Sequence, residues 1–187
     1  MEKVPLNNVQ LYHLAKADAL LKPYFYGTVA CDRLPSRPIK KEPRGYIVNT
    51  DPHYREGRHW LALWTHLGDF CEVMDSYALP LESYETTEPL QGWLKSQWKY
   101  VICNEQSLQS IYSKSCGDYA LFYLKDRARG QSMEEFLRRF SKHDYVNNDH
   151  KVGQMLKKLL EKELKWDQVC KVKQHQETSR CGVKHLV

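Results

Sequence analysis

Residues 116–130 (CGDYALFYLKDRARG) constrain the fold more than any other segment of this chain. Apolar side chains between Ala120 and Leu124 fall on nearly every side of a helix, so other elements must cover that helix all round. A polar run, residues 113–115, comes directly before it. We therefore predict a buried central helix that begins near Cys116, at the border between a polar loop and the core.

Shorter patterns predict the elements that surround this helix. Alternating or bulky apolar runs predict strands, and apolar residues at helical spacing predict helices. Ser132 and Glu135 have the spacing of a capping box, which predicts a helix start. The strands are predicted at 45–49, 59–64, 69–75 and 99–103, and the helices at 8–21, 91–98, after Ser132, and over a last amphipathic stretch from Val152 to Leu164. The class is α+β, with a small, mostly antiparallel central sheet flanked by helices.

Length and composition predict one folded domain. A chain of 187 residues with 42% hydrophobic residues is long and apolar enough to build a core, which argues against global disorder. We predict a single domain over 1–187, with a flexible basic tail at 166–187. The sequence lacks an apolar run of membrane-spanning length and a secretory leader, so we expect an intracellular protein whose six cysteines are reduced.

The formal net charge of +5 leaves two interpretations of the lysines and arginines. Basic pairs such as Lys40-Lys41, Arg138-Arg139 and Lys157-Lys158 can meet a polyanion such as DNA. They can equally form the solvated faces of helices. We favour solvated faces, because no basic stripe with interleaved aromatic residues is present.

The hairpin over 59–75 carries a candidate catalytic pair, His59 and Asp75. If its loop is the three residues 66–68, Thr65 pairs with Asp69, and His59 then lies directly opposite Asp75 with Cβ atoms about 5 Å apart. The carboxylate would accept a hydrogen bond from Nδ1–H of the imidazole and leave Nε2 as the base. A two-residue loop would instead turn Asp75 to the other face of the sheet. A surface histidine and a strand-end aspartate with no shared role remain the alternative.

Cys116 is the candidate nucleophile. Free N–H groups and the helix dipole at a helix start favour a thiolate, and Gly117 lets a substrate backbone approach closely. Asp118 acts the other way, because a nearby carboxylate disfavours the thiolate. A buried structural thiol is the common alternative for a lone cysteine, but the polar run before Cys116 is a poor environment for an inert core residue.

Several segments, taken in their order along the chain, resemble the adenovirus-type cysteine proteases (adenain), whose clan also contains the ubiquitin-like-modifier proteases. The similar segments are PYFYGT (Pro23–Thr28), IVNT (Ile47–Thr50), His59-Trp60 with Ala62, the acidic strand end at Asp75, Gln109 and Cys116-Gly117. The resemblance extends over roughly Leu14 to Leu124. The ordered set His, Asp, Gln, Cys is more specific than any one of its members, since His-Trp and Cys-Gly pairs are each common.

The resemblance implies a papain-like catalytic arrangement in permuted order and acyl transfer by a thiolate. Cys116 would attack the substrate carbonyl, His59 would act as the base, and Asp75 would orient the imidazole. Gln109 would donate to the oxyanion together with the backbone N–H of Cys116. Without the resemblance, Gln106 ranks equally with Gln109.

The same resemblance implies a viral or virus-like-transposon endopeptidase that processes the precursor proteins of a particle at glycine-containing sites. It requires no chemical cofactor, but DNA and a viral activator peptide are stimulators in that family. The implied locations are the host nucleus and the virus particle, and the implied state is a monomer. The segment between Cys103 and Gln109 is shorter than its adenain counterpart, so the activator-linked cysteine of the family is not assigned to Cys103.

Three alternatives remain open. One is a ubiquitin-like-modifier protease or isopeptidase, which Ser115 disfavours because those enzymes commonly carry Asp before the cysteine. Another is a non-catalytic basic DNA-binding protein of a particle. The third concerns the tail, where Cys170, His175, Cys181 and His185 carry zinc-ligand side chains at a spacing that matches no common zinc motif, so we favour a flexible basic tail over a metal site.

Overall fold

A computed structural model of the chain describes residues 5–38, 42–66 and 68–162. The chain divides into two compact units, Met1–Val152 and Gly153–Val187, and every residue discussed below as part of a site lies in the first. The tail 166–187, with its four candidate metal ligands, lies outside the described residues, so the single-domain prediction and the tail prediction stay predictions. No helix in the described ranges is long and apolar enough to cross a membrane.

The described residues form helices and strands in the following order along the chain. They are α1 (Asn8–Ala17), β1 (Phe25–Ala30), β2 (Arg44–Asn49), β3 (Trp60–Thr65), β4 (Phe70–Met74), a 3₁₀ turn (Leu81–Ser83), α2 (Glu88–Gln97), β5 (Tyr100–Cys103), α3 (Cys116–Ala128) and α4 (Met133–Leu137). A further helix, α5, covers 145–162.

The sheet has the spatial order β1-β2-β3-β4-β5. Its two central pairings, β2 with β3 and β3 with β4, are antiparallel, whereas β1–β2 and β4–β5 are parallel. The α+β class with helices around a small sheet is thus confirmed, but the sheet is mixed rather than mostly antiparallel. The difference has two sources: β1 was not among the predicted strands, and the chain from β4 to β5 crosses over through α2.

Two helices cover opposite faces of this sheet. Tyr46, Val48, Leu61 and Leu63 belong to one buried cluster with Leu90, Trp93 and Leu94 of α2. On the other face α3 comes so close to β2 that a Cβ at Gly45 would lie 3.3 Å from the Leu124 side chain. Every residue of α3 from Cys116 to Asp126 is buried, which confirms the predicted central helix.

The boundaries of several elements differ from the prediction for local reasons. Helix α1 ends at Ala17 rather than Leu21, because the Asp18 carboxylate accepts hydrogen bonds from the N–H groups of Leu20 and Leu21 and forms a turn there. Strand β5 was predicted as a core strand, but all four of its residues are exposed at the edge of the sheet. The capping box at Ser132 and Glu135 is confirmed by both of its hydrogen bonds.

The hairpin register differs from the predicted one by two residues. Thr65 pairs with Cys71 instead of Asp69, because the backbone N–H of His66 bonds to the carbonyl of Phe70 and the connection is longer than three residues. His59 therefore does not lie directly opposite Asp75. A shift of two residues keeps both side chains on the same face of the sheet, whereas a shift of one would have separated them.

Candidate active site

An open cleft of about 670 Å³ contains three of the four residues predicted from the sequence, His59, Gln109 and Cys116. Asp75 lies behind His59 and is 3% exposed. The four residues come from different elements: His59 immediately precedes β3, Asp75 follows β4, Gln109 lies in the loop before α3, and Cys116 is the first residue of α3. The fold therefore brings together side chains that are far apart in sequence.

His59 and Asp75 form a direct hydrogen bond. Nε2 of the imidazole lies 2.7 Å from Oδ1 of Asp75, and both side chains are almost completely buried. The predicted roles of the two ring nitrogens were therefore wrong, because Nε2 rather than Nδ1 faces the carboxylate. Cys116 also acts on His59, because its side chain is among the groups that raise the pKa of the imidazole. Because Nε2 bonds to Asp75, Nδ1 is the ring nitrogen available to exchange a proton with the Cys116 sulfur.

Hydrogen bonds surround the Asp75 carboxylate on both oxygens. Oδ1 accepts from the backbone N–H of Tyr77 at 2.9 Å in addition to His59. Oδ2 accepts from the Tyr84 hydroxyl at 2.6 Å and from the backbone N–H of Leu79 at 3.1 Å. The turn that supplies these N–H groups holds Ala78 at φ 53°, in the left-handed region that residues with a Cβ seldom adopt. Backbone strain at Ala78 thus accompanies a fully bonded carboxylate.

The surroundings of this pair favour its charged form. Burial raises the pKa of Asp75, but the bond to His59 and the other donors outweigh burial and hold that pKa below its usual value. Burial likewise opposes a charge on His59, yet the hydrogen bonds to Asp75 and Cys116 raise its pKa to about 9. At neutral pH the pair is therefore an imidazolium held against a carboxylate.

Two tyrosine rings stack on the His59 imidazole. Tyr77 lies 4.8 Å from it between ring centroids at an interplanar angle of 23°, and Tyr84 lies 5.4 Å from it at 12°. Trp60, which directly follows His59, instead lies near Gly117, where an added Cβ would meet its Cδ1 at 3.4 Å. Sequence reasoning missed both tyrosines. The signal for Tyr77 was the register, since a pairing shifted by two residues puts position 77 opposite His59.

Cys116 begins a helix whose first backbone N–H groups have no acceptor within the helix. Ser115 precedes it as the N-cap residue and makes no side-chain cap bond, while its carbonyl accepts from the N–H groups of Asp118 and Tyr119. Cys116 is 8% exposed and lines the cleft. The tight packing of Gly117, where a Cβ would lie 3.2 Å from Leu11, brings the helix start close against α1 and Trp60.

Gln109 is 2% exposed, and its side chain is held at both ends. Oε1 accepts from the Ser76 hydroxyl at 2.6 Å, and Nε2 donates to the Ser113 carbonyl at 2.8 Å and to the Tyr77 hydroxyl at 3.1 Å. Gln106, which ranked equally before the resemblance, does not line the cleft and donates to the carbonyls of Leu137 and Phe140. The geometry thus separates two glutamines that sequence reasoning could not.

Cys103 is not among the cleft residues described above, and the four candidate metal ligands of the tail lie outside the described residues. Cys103 ends the exposed strand β5 and does not line the cleft. Within the described ranges, no group of three or more His, Cys, Asp or Glu side chains is placed to hold a metal ion.

Comparisons with known proteins add little to this geometry. The chain matches no family model and no curated protein. Among solved structures, the crystal structure of an ASFV protease matches with a TM-score of 0.34 and 22% identity, over 60% of this chain and 44% of that one. The chain thus spans less than half of that protease. A likeness at this level carries no argument about activity, so the functional conclusion rests on the site itself.

Proposed function

We propose that this protein is a cysteine endopeptidase with Cys116 as the nucleophile. The observation that carries the proposal is the meeting of Cys116, His59 and Asp75 at an open cleft: Nε2 of His59 lies 2.7 Å from Oδ1 of Asp75, and Cys116 is close enough to help raise the pKa of His59. A nucleophile, a base and a group that orients the base are the parts that covalent acyl transfer needs.

The first half of the reaction forms a thioester. The Cys116 sulfur, as a thiolate beside the imidazolium, adds to the scissile carbonyl carbon and forms a C–S bond. The carbonyl oxygen becomes an oxyanion that accepts hydrogen bonds from Nε2 of Gln109 and from the backbone N–H of Cys116, and one such donor contributes ~3 kcal/mol to lowering the barrier. His59 then gives its proton to the amide nitrogen, the C–N bond breaks, and the amine leaves.

The second half releases the acid. Water adds to the thioester carbonyl while His59 takes one of its protons, and collapse of the intermediate breaks the C–S bond. The sulfur leaves as a thiolate, and the imidazolium is restored. Asp75 stays ionised throughout and stabilises the charge that His59 carries in the resting pair.

Within this class we propose an adenain-type processing enzyme of viral or virus-like-transposon origin. The ordered residues Pro23–Thr28, His59-Trp60, Asp75, Gln109 and Cys116-Gly117 support it. Its substrates would be particle precursors with glycine near the cut, its sites of action the host nucleus and the particle, and its stimulators DNA and an activator peptide. Asp75, where adenain-like enzymes carry Glu, is the residue that favours a modifier protease as the second candidate.

Substitution of the nucleophile tests the proposal. The wild-type chain should cleave a glycine-containing peptide, and Cys116→Ala should lower kcat/KM by about 10⁴-fold or more, because removal of the nucleophile leaves only binding and the oxyanion donors. Cys103→Ala is the matched control and should retain activity, since this exposed thiol lies outside the cleft. An alkylating probe at neutral pH should label Cys116 first. Full peptidase activity in Cys116→Ala would reject the proposal.

The substrate decides between the finer alternatives. Cleavage of particle-precursor peptides but not of ubiquitin-like fusions supports the adenain-type assignment, and the reverse pattern supports a modifier protease. Stimulation by DNA that disappears at high salt supports the DNA cofactor, whereas indifference to DNA removes it. DNA binding without any hydrolysis would favour the non-catalytic particle protein.

A further inference from the structure

We propose that Tyr77 is a positioning residue for both the base and the oxyanion donor. Its ring orients the His59 imidazole, and its hydroxyl orients the Gln109 amide. This inference rests on the proposed function, because the base and the oxyanion donor are defined by that reaction. Tyr77 lines the cleft beside all three of His59, Gln109 and Cys116.

The ring and the backbone of Tyr77 act on the His59–Asp75 pair. The ring lies 4.8 Å from the imidazole at 23°, which limits rotation of His59 about its side-chain bonds. The backbone N–H donates at 2.9 Å to Oδ1 of Asp75, the oxygen that also bonds Nε2 of His59 at 2.7 Å. One residue thus fixes both the plane of the imidazole and the carboxylate oxygen to which it is tied.

The hydroxyl of Tyr77 acts on Gln109. Nε2 of Gln109 has two hydrogens, and they point to the Ser113 carbonyl at 2.8 Å and to the Tyr77 oxygen at 3.1 Å. Oε1 is tied to the Ser76 hydroxyl, which prevents the amide from turning over. The N–H that faces Tyr77 has the longer of the two contacts, and in the proposed reaction it is the one that exchanges its partner for the oxyanion as the thiolate adds. The Tyr77 hydroxyl therefore holds the Gln109 amide in one orientation at the cleft wall before the oxyanion forms.

Tyr84 supplies a matched comparison. Its ring also stacks on His59, at 5.4 Å and 12°, but its hydroxyl donates to Oδ2 of Asp75 and not to Gln109. Tyr84→Phe and Tyr77→Phe thus remove the same atom from two rings that both contact the base. Only Tyr77→Phe removes a partner of the oxyanion donor.

The kinetic test measures peptide hydrolysis and cysteine alkylation in the full chain. Tyr77→Phe should lower kcat about 10- to 100-fold with little change in KM, because the Gln109 amide is no longer held in place and only the transition state needs it as a donor. Its rate of alkylation by iodoacetamide should match wild type at every pH, since the stack and the backbone N–H remain. Tyr77→Leu, which also removes the ring, should slow alkylation as well. A wild-type kcat in Tyr77→Phe, or an equal loss of hydrolysis and alkylation, would overturn the role of the hydroxyl.

A second measurement does not depend on activity. The side-chain amide signals of Gln109 in ¹⁵N-labelled protein should be protected from solvent exchange in wild type and in Tyr84→Phe, and should lose protection in Tyr77→Phe. Unchanged protection in Tyr77→Phe would overturn the inference even if the wild-type chain cleaves peptides. If wild type cleaves no peptide, the proposed function fails, while the Gln109 signals still decide whether Tyr77 holds the amide.

Discussion

Asp75 shows how burial and hydrogen bonding oppose each other at one carboxylate. A residue that is only 3% exposed should resist ionisation, but its carboxylate oxygens accept from His59, Tyr84 and two backbone N–H groups. Because these donors outweigh burial, the pKa of Asp75 is lowered and its carboxylate stays charged. The charged carboxylate in turn helps to raise the pKa of His59. The site therefore depends on Asp75 for its charge state as well as for its geometry.

Replacing Asp75 by Asn should move the alkaline limit of the reaction. In wild type the imidazolium loses its proton as the pH rises through the His59 pKa of about 9, and hydrolysis should decline there. Asp75 is one of the groups that raise this pKa, so in Asp75→Asn the alkaline limb of kcat/KM against pH should move to lower pH. The maximum rate should also fall at least about 10-fold, as expected for a poorly held base. A limb that stays in place would contradict the assigned role of Asp75.

At this scale the sequence predicts which residues meet but not how they meet. The order of His59, Asp75, Gln109 and Cys116 in the chain was sufficient to select them for one site. The ring nitrogen that faces Asp75 was not predictable, because it follows from where α3 places the sulfur. The two stacking tyrosines were missed because one depends on the hairpin register and the other on the path of the chain after β4.

Asn104 connects two elements at the edge of the site. It follows β5, and its side chain pairs with the backbone of Asp75, accepting from the N–H at 2.8 Å and donating to the carbonyl at 2.7 Å. Strand pairing between β4 and β5 ends at Val73 and Cys103, so this amide continues the ladder by one more step. The edge strand thus fixes the position of Asp75 through a side chain.

We expect Asn104→Ala to loosen Asp75 and slow the alkylation of Cys116. The substitution removes three hydrogen bonds, two with the Asp75 backbone and one to the Gln106 carbonyl, and this loss should cost about 1–3 kcal/mol in the free energy of unfolding, measured with urea. Gln106→Ala is the matched control, because it removes a nearby amide that bonds to Leu137 and Phe140 and not to Asp75. The control should lose stability and keep the wild-type alkylation rate. Equal alkylation rates in both variants would show that Asn104 does not position Asp75.

Elements with strong periodic patterns were predictable, and those shaped by their neighbours were not. Helix α3 was found because its apolar residues fall on every side, and the start of α4 because Ser132 and Glu135 form a local signal. Strand β5 has the bulky composition of a core strand, yet its place at the sheet edge leaves it exposed. Whether a strand lies at the edge or in the centre of a sheet depends on which strands it pairs with, and the sequence of one strand does not show this.

For the whole molecule, the protonated His59 links stability to pH. The folded pKa of about 9 lies above the ordinary value of 6.5, so the stabilisation is complete below about pH 6.5 and is lost as the pH rises through 9. The full difference corresponds to about 3 kcal/mol. The free energy of unfolding in urea should therefore fall between pH 6.5 and 9.5 in wild type, and fall less in His59→Gln. An identical fall in both proteins would show that His59 is not the group responsible.

The split of the site between the sheet and α3 has a consequence during synthesis. His59, Asp75 and Gln109 all precede Cys116 in the chain, and the Cys116 sulfur lies on the first turn of the buried helix α3. A nascent chain that has emerged only through Gln109 contains the imidazole, the carboxylate and the amide of the site but lacks the Cys116 thiol. If the proposed function holds, the catalytic group of residues is completed only when α3 docks, which is late in synthesis.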